Sequence, residues 1–168
     1  MKQKTKNLVR GALIAAIYIA LTYLQNFLVP GSASMMIQFR VSEALCVLCL
    51  YSPAAIWGLT VGCLVFNISN AAALPLDVVI GPLATALACG GMYLTRRVTL
   101  KGYPWLALWM PAIFNGLLVG WELSFHIGGA FWLNAFYVAV GELAVLLVLG
   151  SLLHFALAKR NLGGKLFS

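Results

Sequence analysis

Thr95-Arg96-Arg97-Val98-Thr99-Leu100-Lys101-Gly102 is a short polar break in a chain that is apolar for long distances on both sides. Its cations form the middle of three clusters, the others being Lys2, Lys4, Lys6 and Arg10 near the start and Lys159, Arg160 and Lys165 near the end. Of the 11 lysines and arginines, only Arg40 falls outside these clusters. Cytoplasmic flanks of membrane spans carry an excess of Lys and Arg, so all three clusters are expected on that side, separated by even numbers of crossings. At about 20 residues per crossing, the apolar stretch from Gly11 to Thr95 fits four helices and is too long for two, and the stretch from Gly102 to Ala158 fits two. The expectation is an all-α integral membrane protein, a six-transmembrane-helix bundle with both termini cytoplasmic, folded as a single transmembrane domain over residues 1–168.

Composition argues the same way. Hydrophobic residues make up 62% of the chain and charged residues 9%, against about 25% charged in soluble domains. The net charge of +7 follows from topology and does not mark a nucleic-acid surface. The apolar run after Arg10 is too long for a secretory signal, and no small-residue cleavage site follows it. Turn formers at Pro30-Gly31-Ser32, Ser52-Pro53, Asn70 through Pro75 and Gly128-Gly129 divide the apolar sequence into helices of about 8–29, 38–51, 53–69, 76–97, 104–126 and 131–158. The second is short, and a tilted or incomplete crossing is expected there. No internal repeat suggests the inverted halves of many secondary transporters. Cys46, Cys49, Cys63 and Cys89 all lie in apolar stretches, where thiols pack as small hydrophobes, so neither a disulfide nor a metal site is expected.

Ionisable groups placed inside a membrane are costly, by roughly 2.5 to 3.5 kcal/mol at the centre of the bilayer, and commonly mark function. All four acids, Glu43, Asp77, Glu122 and Glu142, fall in predicted helices. With Arg40 they map to one side of the membrane, Glu142 lying deeper. In the predicted helix 104–126, Pro111, Asn115, Glu122 and His126 recur at steps of four, seven and four and share one face. An antiparallel hairpin through Gly128-Gly129 brings Asn115 and Glu142 to similar depth, so Asn115, Glu122, Asn134 and Glu142 are expected to cluster. Asn67, Asn70 and Gln38 add amides around the same mouth.

Simpler readings stand beside these. Arg40 and Glu43, three apart, can pair with each other. Asp77, after Pro75, can be only a helix-start cap. His126 can cap the end of its helix, and His154 is expected at the interface. Trp105, Trp109, Trp121 and Trp132 fit aromatic belts, although Trp121 and Trp132 also flank the proposed pocket. Glu122 and Glu142 have the weakest such alternative, because no Lys or Arg is near them in sequence to neutralise them.

Phe39-Arg40-Val41-Ser42-Glu43-Ala44-Leu45, followed by Ser52-Pro53-Ala54-Ala55-Ile56, resembles the QueT family of membrane proteins. So do Asp77 with Gly81-Pro82-Leu83-Ala84-Thr85, Asn115 with Gly120-Trp121-Glu122-Leu123, and Gly141-Glu142. The resemblance covers most of the chain. It implies a substrate-binding S component of an energy-coupling factor (ECF) transporter in a bacterial plasma membrane, taking up 7-deazaguanine precursors of queuosine such as preQ1, preQ0 or queuine. Its implied partners are a membrane coupling subunit and two ATPase subunits. ATP would be used by those partners, since no G-x-x-x-x-G-K-[ST] loop occurs here. Small residues Gly11, Ala15 and Ala12, Ala16, Ala20 on the first helix resemble the coupling-subunit contact of S components, ordinary packing being the other reading of their spacing.

For such a ligand, one carboxylate can accept a ring N–H and an exocyclic amine together, while an amide serves the carbonyl. The expected readers are Glu122, Glu142 and Asn115, with Asp77 and Asn67 at the mouth, Asn134 nearby, and an aromatic face such as Trp121, Trp132 or Phe131 stacked on the ring. Arg40 and Glu43 are expected to form a structural or gating pair. No catalytic or metal-binding residues are expected. Two alternatives remain: a stand-alone proton-coupled carrier relaying through Glu142, and an intramembrane enzyme built on Glu122 and His126.

Overall fold

The computed structural model describes residues 3–30, 39–70 and 73–159, so Lys2, Gln38, Arg160 and Lys165 lie outside the described residues. Among the described residues the regular structure is helical apart from one isolated bridge between Leu100 and Tyr103. Four helices are long and apolar enough to cross a membrane: α1 (Gln3–Leu28), α3 (Asp77–Thr95), α4 (Trp105–His126) and α5 (Phe131–Lys159). Two shorter apolar helices precede α3, a 3-10 helix over Val41–Leu50 and α2 (Ala54–Ser69). The chain is a multi-pass membrane protein, and its outward surface carries side chains suited only to lipid, among them Leu13, Leu24, Phe27, Phe125 and Phe136.

α1 starts at Gln3 rather than near residue 8, so its first turn is polar and its apolar length begins one to two turns in. It turns one stripe inward, Gly11, Ile14, Ala15, Tyr18 and Thr22, at the helical spacing of three and four. That stripe meets α2 at close range. A Cβ added to Gly58 would lie 2.6 Å from the Gly11 carbonyl oxygen, and one on Gly62 would lie 3.0 Å from Tyr18 Cβ. Small residues four apart let two helix backbones approach, and van der Waals contact then holds them in a lipid solvent. Gly11 and Ala15 are thus spent on packing inside the bundle, while Ala12, Ala16 and Ala20 stay on the exposed side of α1.

The hairpin of α4 and α5 uses the same device. A Cβ on Gly120 would sit 2.6 Å from Ala135 Cα, and one on Gly116 would sit 3.0 Å from the Ala135 carbonyl oxygen. The turn between them needs positive φ at Gly128 (89°) and Gly129 (88°), which glycine adopts without steric cost. Asn134 Nδ2 closes it by donating to Ser124 Oγ at 2.9 Å and to the Gly128 carbonyl at 3.0 Å.

The 3-10 helix lies in the middle, packed against all five other helices. Its tighter winding rises about 2.0 Å per residue against 1.5 Å for an α-helix, so its 10 residues reach roughly 20 Å instead of 15 Å. Cys46, Val47 and Cys49 from it join Tyr18, Leu59, Cys63, Cys89, Met92, Leu108 and Leu146 in the main core. A second core, Ala84, Val119, Leu123 and Val138, fills the space between α3, α4 and α5. α5 is interrupted by a π turn at Leu146–Gly150, directly against the 3-10 helix.

Candidate functional site

A polar stripe on α1 hangs the 3-10 helix in place. Gln25 donates to the Phe39 carbonyl and accepts from the Val41 N–H at 2.7 Å. One turn earlier, Thr22 Oγ1 lies 2.7 Å from both the Tyr18 carbonyl and Ser42 Oγ. One turn earlier again, the Tyr18 hydroxyl donates to Glu43 Oε1 at 2.7 Å. The Cys46 thiol donates to the other oxygen, Oε2, at 3.1 Å. Glu43 is therefore 1% exposed yet bonded at both oxygens.

On the other side of the bundle the acids are differently placed. The close α4–α5 crossing buries Glu122 (0% exposed), Glu142 (3%) and Asn115 (7%). Among the described residues, both oxygens of Glu122 and Oε1 of Glu142 have no hydrogen-bond partner. Asn115 is near enough to Glu142 to interact with it, and Asp77, reaching from the first turn of α3, is near enough to Glu122 for the two carboxyl groups to oppose each other. Arg40, at the entrance to the 3-10 helix, influences Glu43, Asp77, Glu122 and Glu142 electrostatically. One guanidinium thus bears electrostatically on all four carboxyl groups. The neighbour that sequence proximity did not offer Glu122 and Glu142 is supplied by the fold, from a helix some 80 to 100 residues away in the chain.

Other expected members of the cluster have bonds or exposure of their own. Asn134 spends its amide on the α4–α5 turn. Asn67 Nδ2 donates to the Asp77 carbonyl at 2.6 Å and ties the end of α2 to the start of α3. Asp77 Oδ2 accepts the Leu74 N–H at 2.7 Å, a reach back across the turn that caps the helix start. Trp121 is 49% exposed and stacks on Phe125 at 5.9 Å, and Trp132 is 74% exposed, so both face away from the carboxyl groups. The reason is angular: Trp121 precedes Glu122 by one residue, about 100° around a helix, and cannot share its face. Pro111, Asn115 and Glu122 do share a buried face, whereas His126 is only partly buried and its Nδ1 lies 3.2 Å from the Glu122 carbonyl, as an end cap would.

The carboxyl groups are enclosed rather than set at an open mouth. What remains for them is acceptor chemistry: three buried carboxyl oxygens on facing helices, backed by an amide, able to take up N–H donors. No three His, Cys, Asp or Glu side chains among the described residues are grouped as a metal ion would need. The α1 stripe of Tyr18, Thr22 and Gln25 escaped the sequence reading although its spacing of four and three was visible, because no acid or base marked it.

Comparison with known proteins bears on this arrangement. The profile of the QueT transporter family matches residues 8–159. The queuosine precursor transporter QueT of Lactococcus lactis subsp. cremoris (strain MG1363) is 31% identical over 171 residues, covering 95% of this chain and 96% of that protein. No solved structure matches the chain. Both similarities are to transporters, and the protein is a transporter rather than an enzyme.

Proposed function

Since the chain belongs to the QueT transporter family, we propose that it captures a queuosine precursor of the 7-deazaguanine type, held by Glu122 of α4 and Glu142 of α5. The observation that carries this reading is the pair of buried carboxyl groups with unfilled acceptor oxygens. Leaving such groups unpaired costs about 1 to 3 kcal/mol each, more when they are charged, and that cost is recovered when a guest supplies the donors. The ring N–H and exocyclic amine of a deazaguanine are two such donors side by side. Asn115 accompanies Glu142 and serves the carbonyl of the base. Asp77 and Arg40 set the charge around these carboxyl groups, and Asn67 and Asn134 hold the neighbouring helix ends.

In this proposal the two shorter helices also cross the membrane, giving six crossings with both termini in the cytoplasm of a bacterial cell. The chain works as the S component of an ECF importer, with a coupling subunit and two ATPases. Ala12, Ala16 and Ala20, left outside on α1, are the small residues free to receive the coupling subunit, and Gly11 and Ala15 are not.

Calorimetry of the purified protein against preQ1, preQ0 and queuine is the direct test. Glu122→Gln and Glu142→Gln should each weaken binding by about 10- to 100-fold, the worth of a hydrogen bond to a charged group. Wild-type affinity in both variants would refute the assignment. Uptake into vesicles should require the ATP-hydrolysing partners, and transport by the chain alone would favour a proton-coupled carrier.

A further inference from the structure

Beyond the carboxyl cluster, a cavity of about 600 Å³ opens at the far end of α3, lined by Leu100, Lys101, Tyr103, Trp105, Leu147 and Ser151 among others. We infer that this cavity holds an anionic phospholipid, its acyl chains against the aromatic wall and its headgroup on Lys101.

Three departures from regular backbone converge there. Lys101 has φ 53° and Gly102 φ 77°, the pair of positive values that a type I′ turn requires. Leu100 and Tyr103 close that turn with reciprocal backbone bonds of 3.0 and 3.1 Å. Glycine, asparagine or aspartate ordinarily fills the first of these positions, and a lysine kept in a left-handed conformation is a reason to look for a role. On the opposite wall, the π turn at Leu146–Gly150 carries Leu147 into the cavity, and Ser151 follows it. Ser151 Oγ meets the Tyr103 hydroxyl and bridges the two walls. Single π turns inside α-helices are frequent at functional sites.

The walls suit a lipid. Tyr103 packs edge-on against Trp105 at 4.7 Å and stacks on Phe155 at 5.6 Å. Trp105 and Phe155 are 45% and 57% exposed, so the cavity opens on the side of the molecule that meets the bilayer rather than inward. Tryptophan and tyrosine concentrate at headgroup depth, which places the opening where a phosphate would lie. The charge is complementary as well. Lys101, Arg97 and Lys159 are exposed at this end, whereas the sequence has no Asp or Glu between Asp77 and Glu122 or after Glu142. Arg96 is committed elsewhere, lying 3.6 Å over the Tyr93 ring and donating to the Tyr93 carbonyl. Basic pockets between membrane helices bind anionic headgroups in this manner.

The test is native mass spectrometry of the full chain equilibrated with an equimolar mixture of phosphatidylglycerol and phosphatidylcholine. The wild type should retain phosphatidylglycerol several-fold over phosphatidylcholine. Lys101→Gly removes the charge while suiting the turn better, so the variant should melt no lower than the wild type and lose most of that preference. Lys4→Gln, with the same change in net charge at an exposed α1 site outside the cavity lining, should keep it. Undiminished enrichment in Lys101→Gly, or an equal drop in both variants, would overturn the proposal, the latter because it would make the preference one of net charge alone.

Discussion

Glu43 and Glu122 are equally buried acids in one bundle, and their surroundings are opposite. Glu43 sits on the 3-10 helix with Tyr18 on one oxygen and Cys46 on the other, while Glu122 sits on α4 with neither oxygen bonded among the described residues. Burial alone therefore does not identify a functional acid. Saturation does: a carboxyl group whose acceptors are filled by its own fold has completed its work on folding, and one whose acceptors are unfilled still has binding energy to give. On that distinction Glu43 is part of the joint that hangs the 3-10 helix from α1, and Glu122 with Glu142 is the part that the proposed function assigns to a guest.

The largest expected effect comes from destroying the filled site. Glu43→Ala strands the Tyr18 hydroxyl and leaves Arg40 without one of its carboxyl neighbours, and breaking a buried charged group out of its partners costs about 3 to 5 kcal/mol. The unfolding midpoint in detergent should fall sharply, and a Glu43→Ala protein as stable as the wild type would show that its bonds are incidental. Next comes Tyr18→Phe, which preserves the ring among its core neighbours and removes only the donor to Oε1. A loss of about 1 to 3 kcal/mol is expected, with ligand affinity of the folded fraction within a few-fold of the wild type. The comparison then inverts. Glu122→Gln, which on the proposed function weakens ligand binding, should leave the ligand-free protein at least as stable, by up to about 1 kcal/mol, because a buried acid without a hydrogen-bond partner is replaced by a neutral amide of the same shape. A fall in ligand-free stability as large as that of Tyr18→Phe would mean that Glu122 is a structural acid after all.

How far this division could be read in the sequence depends on the kind of interaction. The turns and apolar runs were legible because the membrane forbids unpaired backbone polar groups, so lengths and breaks carry strong information. The inward placement of Glu122 and Glu142 was legible for a similar reason, the expense of an acid in an apolar segment. The winding of Val41–Leu50 was not: ten nearly uniformly apolar residues show no period by which a repeat of 3.0 could be told from 3.6. Nor could the alanines and glycines of α1 be divided, since two interleaved stripes of small residues look alike until Gly58 and Gly62 select one of them. The carbonyl bonds of Asn67 and Asn134 were not legible, because an amide is equally able to serve a ligand or a nearby carbonyl and the bonds rest on backbone turns whose geometry no composition reveals. The exposure of Trp121 was hidden by its adjacency to Glu122, since neighbours in sequence on a helix face different directions.

The finest test separates the two oxygens of Glu43. The Cys46 thiol reaches Oε2 at 3.1 Å, but a thiol is a weak donor and Cys46 is also packed 3.7 Å from the sulfur of Cys89, as a small core residue would be. Cys46→Ser exchanges it for a stronger donor in slightly less volume, and Cys46→Ala removes the donor altogether. If the thiol bond helps to saturate the acid, Cys46→Ser should match the wild type within about 0.5 kcal/mol and Cys46→Ala should fall about 1 kcal/mol below it. If the thiol serves only packing, the order reverses, because a hydroxyl in that apolar core would be the worse occupant. Urea unfolding of the two variants side by side distinguishes these outcomes and shows whether Glu43 is held at two points or by Tyr18 alone.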